Sequence, residues 1–293
     1  MEKEPSIGNN PEEIPEEKRE DSVDFTRHSK SAYRTYEKIF KSDNPTAGFN
    51  KEEQVTPDLP EAGIEFAKQE AEKFFELLNP GKDVLFFASS SEARAIETAN
   101  IYREIAKEKG FEVIKPEHPR SKISEEISDG EIRVVKELSI YDSDNAKNVI
   151  IDSVFQLANR DLINWDAVDP ELKVKYEEAV KIVEADNQGS FGANMAKHGD
   201  KVKEIFPEIE TAEDQFKGKF KNLKRLAKFG IKKAKESGQE KNVKILAFGH
   251  ENYMIYAIES LFQEEGIKNC ETMHIEAKGD GLTGKFRGKE VNL

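Results

Sequence analysis

The chain has 293 residues, 37% of them hydrophobic and 35% charged, with a formal net charge of -13 and one cysteine. So acidic a surface repels phosphate backbones, which excludes nucleic acid as a general partner and requires any phosphate site to be a local positive pocket. A lone Cys270 excludes an intramolecular disulfide and fits a reducing, cytoplasmic compartment. The opening MEKEPSIGNN lacks the apolar stretch of a secretory signal, and no apolar run is long enough to span a membrane, so no membrane partner is expected.

Residues 1–21 are rich in Pro, Glu and Lys, with almost nothing to bury, and read as a disordered acidic tail. Residues 22–293 read as one α/β domain. Val23 to Thr26 is a short apolar and β-branched strand that runs into Arg27-His28. Residues 41–60 carry turn residues and read as a loop. In "EAGIEFAKQEAEKFFELL", Ile64, Ala67, Ala71, Phe74 and Leu78 fall on one face, which predicts a helix stopped near Gly81. The continuous apolar run "DVLFFASS" at 83–90 predicts a strand buried on both faces. "SSSEARAIETANIYREI" follows, with Ser89 and Glu92 at capping-box spacing and an apolar stripe through Ala95, Ala99 and Tyr102.

Residues 115–240 differ. They are charge-dense and mostly helical in pattern, as in "AKNVIIDSVFQLANRDL", "PELKVKYEEAVKIVEA" and "AEDQFKGKFKNLKRLAKFGIKKAKE", with one strand-like run, "EIRVVKEL". They read as a helical cap inserted into the sheet domain. The last of these helices carries a stripe of lysines over 217–235, a solvated face or a lid that attracts an anionic substrate. The sheet resumes at "NVKILAFGH" (242–250), a helix is expected over "ENYMIYAIESLF", and a hairpin turning near Asp280-Gly281 closes the chain. Strands alternating with helices at both ends of the chain predict an α/β fold with a mainly parallel sheet.

Three of these strands end in chemistry-bearing residues. The first ends in Arg27-His28, the second in serines with Arg94 just beyond, and the third in Gly249-His250-Glu251. Ligands of open α/β sheets bind at the carboxyl ends of strands, where helix N-termini also favour anions. Two histidines, two arginines and a carboxyl gathered there suit phosphoryl transfer. Arginine clamps a phosphate with a planar fork of donors, and a neutral histidine can attack phosphorus. A carboxylic acid can protonate the leaving oxygen.

At these residues the sequence resembles a known family. "FTRHSKSAYR" resembles the Arg-His-Gly segment that opens the histidine phosphatase superfamily, the phosphoglycerate mutase-like fold. "SSSEARAIETA" is similar to that family's SSPLxRAxxTA segment, "LPEAGIEFAKQEA" to its LTxxGxxQA helix start, and "ILAFGHENYMIYAI" to its second histidine after a strand. Order and spacing agree over roughly the first third and last fifth of the chain; the 115–240 insert matches nothing in the family. The resemblance implies a three-layer α/β fold, a mostly parallel sheet with helices on both faces. It also implies a phosphomonoester phosphatase that needs no metal or cofactor and acts on a small phosphorylated substrate.

Residue by residue, the resemblance makes His28 the nucleophile that becomes phosphohistidine. Arg27, Arg94 and His250 complete the phosphate pocket. Ser31 and Arg34 stand where the family often has Ser or Thr and then Asn, both able to touch phosphate. Two positions are open for the proton donor. Glu137, in "VVKELSIYD", fits the mutase-like branch; Glu251, directly after the second histidine, fits the acid-phosphatase branch and needs no register guess. Arg34 for Asn and Ser29 for Gly are departures. A mutase returning the phosphate to a second hydroxyl, or a silent phosphate-ligand binding protein, would use the same pocket.

Other motifs carry less. "GDGLTGK" fits Gly-x-Gly-x-x-Gly, but a hairpin explains it better than a dinucleotide site. "DSDNAKNVIIDS" lacks the central Gly and final Glu of a calcium loop. His118, His198 and His274 have no metal-ligand spacing.

Overall fold

The computed structural model describes residues 20–34, 56–135, 138, 165, 168–187, 191–251, 254–278 and 281–293. Glu137, the expected acidic tail up to residue 19 and the expected helix over 146–162 lie outside the described residues.

Eight strands form one mixed sheet. β1 (Ser22–Arg27), β2 (Asp83–Ser89) and β5 (Asn242–Gly249) are its centre, in the order β2-β5-β1 and all parallel. Their apolar, β-branched and aromatic sequences suit strands covered on both faces, and nearly every residue is buried. β3 (Glu112–Val113) and β4 (Ile132–Val134) pair in parallel with successive parts of β2's outer edge. Beyond β1 the sheet turns antiparallel through β6 (Thr272–Lys278), β7 (Gly281–Phe286) and β8 (Lys289–Asn292), with β6 and β7 the expected terminal hairpin.

Helices cover both faces. On one side α1 (Glu61–Phe75) and α2 (Ala93–Glu108) bring Ala67, Ala71, Phe75, Ile96, Ala99 and Tyr102 into one cluster with Leu85, Phe87, Leu246 and Phe248. On the other, α7 (Ala212–Glu236) brings Phe220, Leu223, Leu226 and Ala234 together with Val23, Phe25, Val84, Phe86 and Ile245. Strand residues alternate between the two clusters because successive side chains of a strand point to opposite faces. Gly230 lets α7 lie close: a Cβ there would sit 2.9 Å from the Ile245 side chain.

Two expectations change. The insert does not run from 115 to 240 as one cap. α3 (Lys122–Ser128) and β4 join the sheet domain at its start, and α7 forms the sheet's second helical layer at its end. Between them, α4 (Pro170–Glu184), α5 (Phe191–Lys197) and α6 (Gly199–Ile205) gather a separate core of Tyr176, Ala179, Val180, Val183, Met195, Val202 and Phe206. Because α7 serves the sheet, its lysines form a solvated face, with Lys217 paired to Glu213 and Lys233 to Glu117 and Glu236. The helix expected at 251–262 is irregular. The Met254 amide bonds the Glu251 carbonyl, and a π-helical segment, Ala257–Leu261, follows, closed by a bond from the Phe262 amide to the Ala257 carbonyl. Among the described residues no helix is long and apolar enough to cross a membrane.

Candidate active site

Strand register sets the site. Arg27, the last residue of β1, lies opposite Gly249 of β5, and Ser89 of β2 lies opposite Phe248. The next residues, His28, His250 and Ser90, therefore leave three adjacent strands at one edge of the sheet. The main chain stays tied there: the His28 amide donates to the Gly249 carbonyl at 2.9 Å and the Ser90 amide to the Phe248 carbonyl at 2.9 Å. The loop before β6 closes the other side. The Cys270 amide donates to the Arg27 carbonyl at 2.9 Å and the Asn269 side chain to the His28 carbonyl at 2.8 Å.

The four residues expected to form the pocket come together. His28 and His250 are 3% and 2% exposed, with ring centroids 5.0 Å apart. His28 Nδ1 is 2.6 Å from the Ser29 carbonyl, which only accepts, so Nδ1 carries the proton and Nε2 keeps its lone pair. Arg94 Nε donates towards that Nε2 at 3.2 Å. Arg94 is 1% exposed, and its Nη2 lies 3.3 Å from His250 Nδ1. Burial first, then His250 and Arg94, hold His28 well below the ordinary histidine range, so it is neutral at physiological pH. Arg27 Nη1 pairs with Glu251 Oε2 at 2.9 Å and also bonds the Ile267 carbonyl, while its buried Nε has no hydrogen-bond partner among the described residues. Ser31 Oγ is likewise buried and unpartnered. Unsatisfied buried donors are uncommon and suit a polar ligand.

Not every expected residue faces the pocket. The exposed Arg34 guanidinium is engaged by the Pro57 carbonyl, and its main-chain amide donates to Asp58 Oδ1 at 2.9 Å. Ser29, the departure from glycine, is accommodated: its φ is not positive, its hydroxyl donates to the Gly63 carbonyl at 2.7 Å, and its amide donates to Thr98 at 3.0 Å. Gly63 is required on the other side of that contact, since a Cβ there would lie 2.1 Å from the Lys30 carbonyl oxygen.

The site also contains residues that the sequence reading passed over. Glu92 is the N-cap of α2, not the fourth residue of a capping box, and its side chain makes no cap hydrogen bond. Its carboxylate turns inward, 3% exposed, with Oε2 2.8 Å from His250 Nε2; Ser90 Oγ lies 2.9 Å from the same nitrogen. Burial alone would raise Glu92, but His250, Arg94 and Ser90 outweigh it and bring it down to about 2. His250 is pushed by burial to about 4, against the pull of Glu92. Asp58 is fully buried with Oδ2 3.9 Å from Arg94 Nη1, and Glu97 accepts the Asp58 and Leu59 amides, fixing that loop. Tyr33 stands at the rim, 41% exposed at a φ of 53°, its ring 5.2 Å from the Arg94 guanidinium carbon. Glu92 had a signal: it stands where the quoted SSPLxRA pattern has leucine, and a charge there needs a partner. Asp58 and Tyr33 had none.

No family model matches the sequence, and no curated protein matches it. Solved structures do. The chain is similar to a phosphoglycerate mutase from Bacillus anthracis, at 16% identity and a TM-score of 0.40, over 94% of each chain. It is similar to a putative alpha-ribazole-5'-P phosphatase from Escherichia coli, at 12% identity and a TM-score of 0.41, over 92% of this chain and 97% of the other. It is also similar to a phosphoserine phosphatase from Entamoeba histolytica, at 13% identity and a TM-score of 0.34, over 92% and 94%.

Proposed function

We propose that the protein is a phosphomonoester phosphatase of the histidine phosphatase type, acting through phosphohistidine on a small phosphorylated substrate. The state of His28 carries this reading. Its Nδ1–H is committed to the Ser29 carbonyl, and its Nε2 lone pair faces Arg94 in a buried pocket. That is an oriented, neutral nucleophile beside a phosphate clamp.

In the proposed reaction His28 Nε2 attacks phosphorus and the bond from phosphorus to the ester oxygen breaks. Arg27, Arg94, His250 and Ser31 hold the phosphoryl oxygens. The leaving oxygen takes a proton from Glu251, whose carboxyl lies beside Arg27 at the rim, 29% exposed. Water then attacks the phosphohistidine, giving its proton back to Glu251, and the phosphorus–nitrogen bond breaks to release phosphate. Glu137 remains the other donor proposed, and Arg34 is proposed only to lend charge near the rim. No step requires a metal. A mutase would return the phosphate to a second hydroxyl in place of water.

The test is release of phosphate from a generic aryl phosphate, with and without chelator, by the wild type and by His28→Ala. Chelator-resistant release lost in the variant supports the phosphohistidine route. Release that the variant retains removes His28 as nucleophile, and isomerised ester in place of free phosphate identifies a mutase.

A further inference from the structure

The proposed chemistry leaves the buried Glu92 carboxylate without a task. Glu92 makes no cap hydrogen bond to its helix, yet it is almost sealed from solvent against His250. Arg94, His250 and Glu92 form a line: Arg94 Nη2 to His250 Nδ1 at 3.3 Å, then His250 Nε2 to Glu92 Oε2 at 2.8 Å. A neutral imidazole fits this line in one way. Nε2 donates to the carboxylate and Nδ1 accepts from the guanidinium.

A dianion upsets that arrangement. Arg94 would turn N–H groups to the phosphoryl oxygens, and His250 Nδ1 would then present a lone pair to a negative oxygen. The charge balance points the same way. Two guanidinium groups, Arg27 and Arg94, already stand against two carboxylates, Asp58 on Arg94 and Glu92 on His250, with Glu251 on Arg27 holding the proton it donates. Two further negative charges arrive against guanidinium groups that these carboxylates already balance. A proton on His250 Nδ1 relieves both problems. It converts a repelling lone pair into a donor, and the resulting imidazolium lies between the dianion and Glu92.

We propose that Glu92 makes anion binding proton-coupled: each dianion that enters brings one proton from solvent onto His250 Nδ1, and the Glu92 carboxylate stabilises the imidazolium from behind. This rests on the pocket being the phosphate site. The groups facing His250 set the switch. Arg94 on α2 and Arg27 at the end of β1 oppose its protonation, as burial does, while Glu92 favours it. His28, 5.0 Å away, stays neutral and keeps its lone pair for phosphorus. Glu92 is thus a positioning residue, acting through His250.

Sulfate tests this cleanly, because it is a dianion throughout the working pH range and takes up no proton itself. Its binding heat is measured at one pH in buffers of different ionisation enthalpy; the slope counts protons taken from buffer. The slope is expected near one for the wild type and near zero for Glu92→Gln and for His250→Asn. The wild-type dissociation constant should rise up to roughly tenfold per pH unit, and those of the variants should not. Sulfate bound by the wild type with a slope near zero overturns the proposal. So does a slope that survives in His250→Asn, which would put the proton elsewhere, on His28 if His28→Ala abolishes it. Sulfate that does not bind at all removes the phosphate pocket itself, a different failure.

Discussion

The edge of the sheet and the α4–α6 cluster are built on opposite principles. At the sheet edge the buried side chains are His28, Glu92, Arg94, His250 and Asp58, and each is fixed by named partners on other strands, helices or loops. In the α4–α6 cluster the buried side chains Tyr176, Val180, Val183, Met195 and Phe206 form an apolar core, joined to the sheet domain through Ile255 and Ala212. Apolar packing tolerates a lost methyl at a modest cost, whereas a buried charge that loses its partner keeps its full desolvation penalty. Breaking one contact at the sheet edge should therefore disturb stability and chemistry together. Breaking one in the cluster should disturb stability only.

Arg94→Ala should break the comparison hardest. The guanidinium is the shared partner of His28, His250 and Asp58. Its removal leaves the buried Asp58 carboxyl without its cation, which should cost about 3 kcal/mol or more in urea unfolding. Turnover of an aryl phosphate should fall about a thousandfold, as for loss of a main charge-stabilising donor. Acid should act on the same place. His250 titrates near 6.5 when unfolded and at about 4 when folded, so the unfolded state binds the proton first. Stability is then lost as pH falls from about 6.5 to about 4, by about 3 kcal/mol from His250 alone, with His28 adding loss in the same direction. Glu92, lowered to about 2, adds further loss below about 4.5. Unfolding curves of the wild type and His250→Asn at pH 7.5 and 5 should converge towards acid; parallel curves would mean that His250 binds its proton equally well folded and unfolded.

How much of this was legible follows from the same contrast. The strands β1, β2 and β5 and the helices α1, α2 and α7 were plain, because apolar periodicity records which face is covered. The ends of those strands exposed Arg27, His28 and His250, and motif spacing added Arg94. Glu92 was misread because capping-box spacing is local, whereas its true partner, His250, is 158 residues away. Asp58 reaches Arg94 only through a loop fixed by Glu97, and no periodicity marks such a loop. The span of the cap was overdrawn for a different reason. An amphipathic helix declares an apolar face but not what covers it, so α7 read the same whether it packed on the sheet or on α4–α6.

Gly63→Ala probes the boundary between the two kinds of construction. Nothing apolar is lost, but the new Cβ would sit 2.1 Å from the Lys30 carbonyl oxygen, so the segment just after His28 must shift. A cost of about 2 kcal/mol is expected, the usual scale of overpacking, with a clear fall in kcat on the aryl phosphate. Stability lost with kcat unchanged would show that the segment relaxes without moving His28. Val180→Ala, in the α4–α6 core, should cost a similar 1–2 kcal/mol or so, yet leave turnover of a small aryl phosphate as it was. If Val180→Ala lowers turnover of the small substrate too, the cluster is coupled to the chemistry and the contrast fails.

The smallest effect is expected at Arg34, and it decides between sequence pattern and observed geometry. Its place in the motif puts a cation beside the phosphate, while its exposed guanidinium is bound to the Pro57 carbonyl. The link to the pocket is made by its main-chain amide on Asp58, which any residue supplies. Arg34→Ala should therefore change unfolding free energy by less than about 0.5 kcal/mol, as exposed substitutions do. The KM for a small aryl phosphate should stay within about twofold, since a uniform binding contact is not removed. A tenfold rise in KM at unchanged kcat would mean that the guanidinium leaves Pro57 when substrate arrives, and would restore Arg34 to the phosphate site that its position in the sequence implies.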